Sequence, residues 1–320
     1  MNWLTKGVAF AAGAALFVAC AADTGGDLPP GVEAISLLGD TLRAPELPDS
    51  LLHAREGQLA EARAALQREP GSADALIWVG RRLAYLGRYR EAVTTFSDGI
   101  ERFTDDPRFY RHRGHRHITL RRFDLAVQDF ERGADFIAGE PDEVEPDGQP
   151  NPRGIPTSTL QFNIWYHLGL AYYVQGDFEN ALRAYRECLA VSKNPDALAA
   201  TSHWLYMTLR RMGRTDEAAR VLEPITVDMA IIENTAYHRL LLMYKGLLPP
   251  DSLYRIAGGE EVSLEDVTTA YGVGNWHLYN EHAAEAEQAF RTIVAGRSQW
   301  AAFGYIAAEA ELARSDGGAR

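Results

Sequence analysis

Five positions bearing small or aromatic residues recur at one spacing. Gly80 returns as Gly114, Tyr89 as Phe123, Ala92 as Ala126, Phe96 as Phe130 and Gly99 as Gly133, each 34 residues later. Self-similarity at a fixed period of this length restricts the chain to a stack of like units, because one such unit cannot enclose a core alone and buries its apolar face on its neighbours. Such stacks offer long surfaces rather than a single deep cleft. The period therefore bears on function as well as on fold.

The clearest unit runs Trp165-x-x-Leu168-Gly169-x-x-Tyr172, then Gly176, Phe178, Ala181, Tyr185, Cys188 and Leu189. Spacings of three and four place Trp165, Leu168 and Tyr172 on one helix face, and Ala181, Tyr185 and Cys188 on another. Gly169 and Ala181 are small where two helices must approach, and Gly176 suits the cap between them. This pattern of Trp, Leu-Gly, Tyr, Phe and Ala resembles the tetratricopeptide repeat. The resemblance covers nearly all of residues 50–314 and is strongest at 74–136 and 160–190. It implies an all-α superhelix of helical hairpins, an α-solenoid, whose first helices line a concave groove. It implies no chemistry.

The small residue of the second helix marks the phase: Ala62, Ala92, Ala126, Ala181, Ala218, a divergent Ser252 and Ala286, or about six to seven units. Ala218 to Ala286 is two periods, so a worn unit lies between, with a first helix at Ala236–Tyr244 and a short second one opened by Pro249-Pro250. Between Ala126 and Ala181 the period is lengthened by 21 residues, an acidic, proline-rich insert over 138–158. The array is expected over 51–314, ending in a solitary helix from Gln299 to Arg314 that caps the last apolar face, with 315–320 as a disordered tail.

The start of the chain has a different character. Lys6 precedes an apolar run from Gly7 to Ala19, the length of a signal-peptide core and too short to span a bilayer. The run ends Leu16-Phe17-Val18-Ala19-Cys20, which resembles a bacterial lipobox. That resemblance implies a signal peptide over 1–19, a lipid on Cys20 and, with Ala21 following, sorting to the outer membrane facing the periplasm. The alternative is an ordinary secretory signal cleaved near Ala22, leaving a soluble secreted or periplasmic protein. Residues 20–50 hold Gly25-Gly26 and Pro29-Pro30 and read as a flexible tether. Cys188, the second of two cysteines, falls on an apolar stripe and is expected as a small buried hydrophobe.

A net charge of −12 excludes a general nucleic-acid binder, which needs a cationic face to displace phosphate counterions. One segment runs against that balance. Six arginines and three histidines lie between Arg108 and Arg122, with no acid between Pro107 and Phe123. The repeat register turns Arg81, Arg108, Arg111 and His115 toward the groove, where guanidinium groups favour carboxylates or phosphates through paired charge-assisted bonds. Two fates are open: a ligand meets them, or Glu140, Asp142, Glu143, Glu145 and Asp147 of the insert fold back on them. The same register nominates Asn163, Tyr166, Tyr173, His203, Tyr237, Tyr244 and Tyr271 as groove residues, a chemistry suited to an extended peptide. His112, His115 and His117 do not read as a metal site, since adjacent cations oppose a metal ion. No cofactor is expected. No phosphate-cradling loop, serine elbow or paired zinc motif is present in the sequence.

Together these features point to a non-enzymatic scaffold anchored to the cell envelope, with an acidic or extended peptide partner in its groove. The rivals are a structural subunit of an envelope assembly whose groove is occupied by its own acidic insert, and an enzyme on a repeat scaffold.

Overall fold

The computed structural model describes residues 28–253 and 262–318. The apolar run read as a signal peptide and Cys20 lie outside the described residues. Among those described are 13 α-helices and one two-stranded sheet, and none of the helices is long and apolar enough to cross a membrane.

The repeat phase is realised as antiparallel hairpins. They are α2 (Ala73–Tyr85) with α3 (Tyr89–Arg102), α4 (Pro107–Thr119) with α5 (Phe123–Ile137), α6 (Leu160–Gln175) with α7 (Phe178–Val191), α8 (Pro195–Arg211) with α9 (Thr215–Val221), and α11 (Leu264–Tyr279) with α12 (Ala283–Ala295). The worn unit keeps α10 (Thr235–Tyr244), followed by a single 3-10 turn at Pro250–Ser252. Caps fall where the sequence supplies them: Ser72, Thr159, Asn194 and Ser263 each accept a backbone N–H in the first turn.

Four of the five hairpins nest because a glycine in the first helix faces an aromatic ring in the second, sixteen residues on. A Cβ at Gly80 would lie 2.4 Å from the Phe96 ring, at Gly114 2.9 Å from Phe130, at Gly169 2.6 Å from Tyr185 and at Gly274 2.8 Å from Phe290. No real Cβ makes such contacts, so the ring has displaced the side chain. The phase-marking alanines 92, 126, 181 and 286 are buried one turn before these rings, and Ala218 is buried in the fifth hairpin. Leucine at Ala181 has nowhere to go and should lower stability by about 1–3 kcal/mol through overpacking. An unchanged melting curve for Ala181→Leu would show that the hairpin yields there.

Three features depart from the sequence reading. Ala62 lies in α1 (Asp49–Arg68), but among the described residues no first helix precedes α1, so within them that unit shows only its second half. The segment read as tether is instead structured from Val32. Strand β1 (Val32–Ile35) pairs antiparallel with β2 (Thr41–Arg43), Ile35 opposite Thr41. Val32, Ala34 and Leu42 are buried, an alternation that sheet pleating requires but that is too short to stand out beside Gly and Pro.

The third departure concerns the terminal helix α13 (Phe303–Gly318), which packs on α11 and α12 as a cap does and also reaches α6. It lies against the inner wall of the array and is buried around nearly its whole circumference from Gly304 to Leu312. Glu309, fully buried, pairs with Arg121 at 2.8 Å, and Glu311 with Arg211 at 2.5 Å. Arg314 donates to the Val174 carbonyl at 2.6 Å. The β-hairpin is bound to the same region: Leu37 N donates to Glu309, Arg297 pairs with Asp40, and the Trp300 indole donates to the Arg43 carbonyl at 2.6 Å. The groove expected to be open is largely filled by the chain's own C-terminal helix.

Candidate functional site

The nominated tyrosines do sit on the inner wall, and there they meet the chain itself. Tyr166 accepts from the Trp204 indole at 2.8 Å and shares a hydrogen bond with Tyr237 at 3.0 Å. Tyr173 and Tyr271 join through their hydroxyls at 3.1 Å, both fully buried. His203 is also fully buried, stacked between Tyr237 and Tyr244. Phe303 at the start of α13 touches the rings of His115, Tyr166 and His167. Buried in this way, Tyr166, Tyr173, His203 and Tyr271 present no surface to a peptide in this conformation; Tyr237 and Tyr244 remain partly exposed. The repeat register places these side chains on the inner wall, but it carries no information about what covers that wall.

The basic segment divides by partner. Arg108 chelates Asp106 and reaches Asp74 at 2.5 Å. Arg113 forks onto Asp129, which burial would otherwise favour protonating. Arg121 goes to Glu309. Arg111, nine-tenths buried, has its Nε 2.8 Å from Glu145 of the acidic insert. That Nε lacks the alignment of a hydrogen bond, so the contact is one of charge. Glu145 also accepts from Asn163 Nδ2 at 3.0 Å. The insert lies back across α2 and α4: Arg81 donates to the Pro146 carbonyl at 2.7 Å and Arg82 to that of Gly148 at 3.2 Å. A short bridge between Val144 and Thr159 closes the loop at its base.

Between the insert and the first helices of two hairpins remains a cavity of about 240 Å³. Arg81, Arg111, Arg116, His112, His115 and Glu145 contribute to its lining. Arg116 was not among the residues nominated from sequence, since the register puts it beside the inner wall rather than on it. Its guanidinium faces no carboxylate. Its near neighbours are the Tyr89 ring, 5.4 Å away, and other cationic side chains, and burial brings its pKa down to about 10. Burial likewise keeps His112 and His115 neutral, and the surrounding arginines act in the same direction. His112, His115 and His117 do not converge: His112 stacks on Phe96, His115 on His167, and His117 faces Asp129 at 3.7 Å. Among the described residues no group of three or more metal-ligating side chains comes together.

Cys188 is fully buried beside Thr201, 3.1 Å away, and burial raises its thiol pKa to about 12. It is a packing residue, as its place on the apolar stripe implied.

Models of the tetratricopeptide repeat match residues 79–141 and 162–195, the segments that form α2–α5 and α6–α7. No curated protein sequence matches the chain. Among solved structures, MamA is 14% identical with a TM-score of 0.41, over 62% of this chain and 87% of that one. YrrB, described as a TPR protein with an unusual peptide-binding site, is 14% identical with a TM-score of 0.42, over 75% of this chain and 95% of that one. These likenesses concern the stacking of helical hairpins and nothing finer. The repeat matches, falling on hairpins that nest by glycine against aromatic ring, identify tetratricopeptide repeats at residues 79–141 and 162–195 of the chain.

Proposed function

We propose that the protein is a non-enzymatic, protein-binding scaffold of the bacterial cell envelope, engaging an acidic segment of its partner at the basic wall formed by α2 and α4. One observation carries the reading. Arg81, Arg111 and Arg116 line one cavity, and the carboxylate that pairs with Arg111 comes from an extended, proline-flanked loop of the chain itself. An extended acidic segment from another protein has the same chemistry as that loop and can take its place. Cys20, after its apolar run, supports anchoring by lipid to the outer membrane, with the array on the periplasmic side. A single multiply acylated terminus holds such a protein stably, each buried methylene contributing about 0.8 kcal/mol.

The ion pair of Arg111 with Glu145 and the burial of α13 along the inner wall also favour a second reading, a structural subunit of an envelope assembly whose groove is self-occupied. Two variants separate them. Charge reversal by Arg108→Glu with Arg111→Glu should reduce partner capture from solubilised membranes and flatten its salt dependence. Equal capture by variant and wild type at low salt would remove the basic wall from the interaction. Deletion of residues 140–150 should increase capture if the insert competes with the partner. If only thermal stability falls, the insert is structural and the second reading stands.

A further inference from the structure

The five hairpin turns share one backbone closure. An amide donates to the carbonyl five residues earlier, in the last turn of the first helix: Arg88 N to Leu83, Arg122 N to His117, Asp177 N to Tyr172, Arg214 N to Leu209 and His282 N to His277, at 2.8–3.1 Å. This is the long bond of a Schellman cap, and it brings the side chains of its two end residues together. In four hairpins those residues are unlike: Leu83 with Arg88, His117 with Arg122, Tyr172 with Asp177, Leu209 with Arg214. Between α11 and α12 both are histidine. The repeat builds the place, and this turn alone fills it with two imidazoles.

The two rings meet through their δ nitrogens. His277 Nδ1 lies 3.3 Å from His282 Nδ1. Two neutral imidazoles satisfy that contact only when one carries its proton on Nδ1 and the other does not. A metal ion accepts both lone pairs at once. Nitrogen ligands of a tetrahedral zinc ion stand about 3.3–3.4 Å apart, given zinc–nitrogen bonds of about 2.0–2.1 Å, so the pair is already at chelating distance. The turn is held in that arrangement. Trp276 packs edge-on against both rings, 5.1 Å from His277 and 6.2 Å from His282, and Asn280 Nδ2 donates to the Trp276 carbonyl at 2.8 Å. His277 is half-buried and His282 exposed, which leaves the pair open to ions from solution. Apart from His282, the charges acting on His277 are those of Glu285 and Asp251, and both draw a cation toward the pair. Among the described residues no third side chain completes the set.

We infer that His277 and His282 form a two-imidazole binding site for a divalent transition-metal ion of the zinc class, with water in the positions that the chain leaves open. Imidazole nitrogen suits zinc, copper and nickel, whereas magnesium and calcium take oxygen ligands. Neither histidine lines the cavity beside the insert, so the site goes beyond the scaffold reading and does not rest on it.

The test is calorimetric titration of the untagged full chain with zinc chloride, and with magnesium chloride in parallel. Saturable binding of one zinc ion per chain is expected, with no saturable magnesium binding. Removing a residue that merely supports a metal ligand typically costs about 10–100-fold in affinity. His277→Ala and His282→Ala, each removing a ligand outright, should therefore weaken zinc at least about tenfold with circular dichroism unchanged. Either variant carries the test if the other fails to fold. His53→Ala removes an exposed histidine on α1 and should leave the affinity unaltered. Absence of saturable zinc binding, magnesium bound as well as zinc, wild-type affinity in a folded His277→Ala or His282→Ala chain, or an equal loss in His53→Ala would each overturn the assignment. None of these outcomes depends on partner capture, so the scaffold reading stands or falls separately.

Discussion

A chain ending at Ala302 should lose the cooperative fold of most of its array rather than fray at one end. In an open solenoid each unit touches only its neighbours, and removing the last helix costs one interface. Here α13 carries Tyr305, Ile306 and Leu312, all buried, each contributing about 1.5–3 kcal/mol on burial. Without α13, Arg121 and Arg211 lose Glu309 and Glu311, and the Phe303 ring no longer covers His115, Tyr166 and His167. The combined loss exceeds roughly 5 kcal/mol, comparable with the whole stability of an ordinary domain. The truncated chain is expected to bind a hydrophobic dye at room temperature and to melt broadly. A melting point within a few degrees of the full chain, with no dye binding, would mean that α13 rests on a wall already stable without it.

What was legible in the sequence follows from what a repeat period encodes. Gly80, Gly114 and Gly169 face Phe96, Phe130 and Tyr185 at one offset, and a period of 34 reports such contacts between neighbouring helices directly. Even the worn unit could be placed, because Ala218 and Ala286 keep phase across it. A period reports nothing about contacts that skip many units. Arg121 and Glu309 are 188 residues apart, and no regularity links them. The available signal was indirect. In Ala307-Ala308-Glu309-Ala310-Glu311-Leu312 two acids interrupt a helix apolar on every side, and a helix apolar all round belongs inside a protein, where its charges need partners. The basic segment and acidic insert were legible as a possible pair, yet nothing marked Glu145, rather than its four acidic neighbours, as the residue that would reach Arg111.

Arg121→Gly tests whether the long-range pairing holds the inner helix in place, because the local and distant effects of that change oppose each other. The residue five before each phase-marking alanine ends the first helix of its hairpin in the left-handed region. It is Gly87 at φ 75°, Gly176 at 80° and Gly213 at 72° in three hairpins. In two it is not glycine: Arg121 has φ 63° and Glu281 φ 67°. An L-residue with a long side chain loses about 1–2 kcal/mol there, so glycine at 121 should be locally stabilising by that amount. Against this, the Arg121 side chain donates to both oxygens of Glu309, to the Trp300 carbonyl at 2.8 Å and to the Thr119 carbonyl at 2.6 Å. Removing it strands a carboxylate with no exposed surface, typically a loss of about 3–5 kcal/mol; the remaining bond from Leu37 N places this case toward the lower figure. The net expectation is destabilisation by about 2–3 kcal/mol, read from chemical denaturation. Glu309→Gln added to Arg121→Gly should recover part of the loss, because the buried charge is gone and the relaxed backbone remains. If Arg121→Gly alone proves more stable than wild type, backbone relief dominates, and α13 is retained by its apolar face without help from the ion pair.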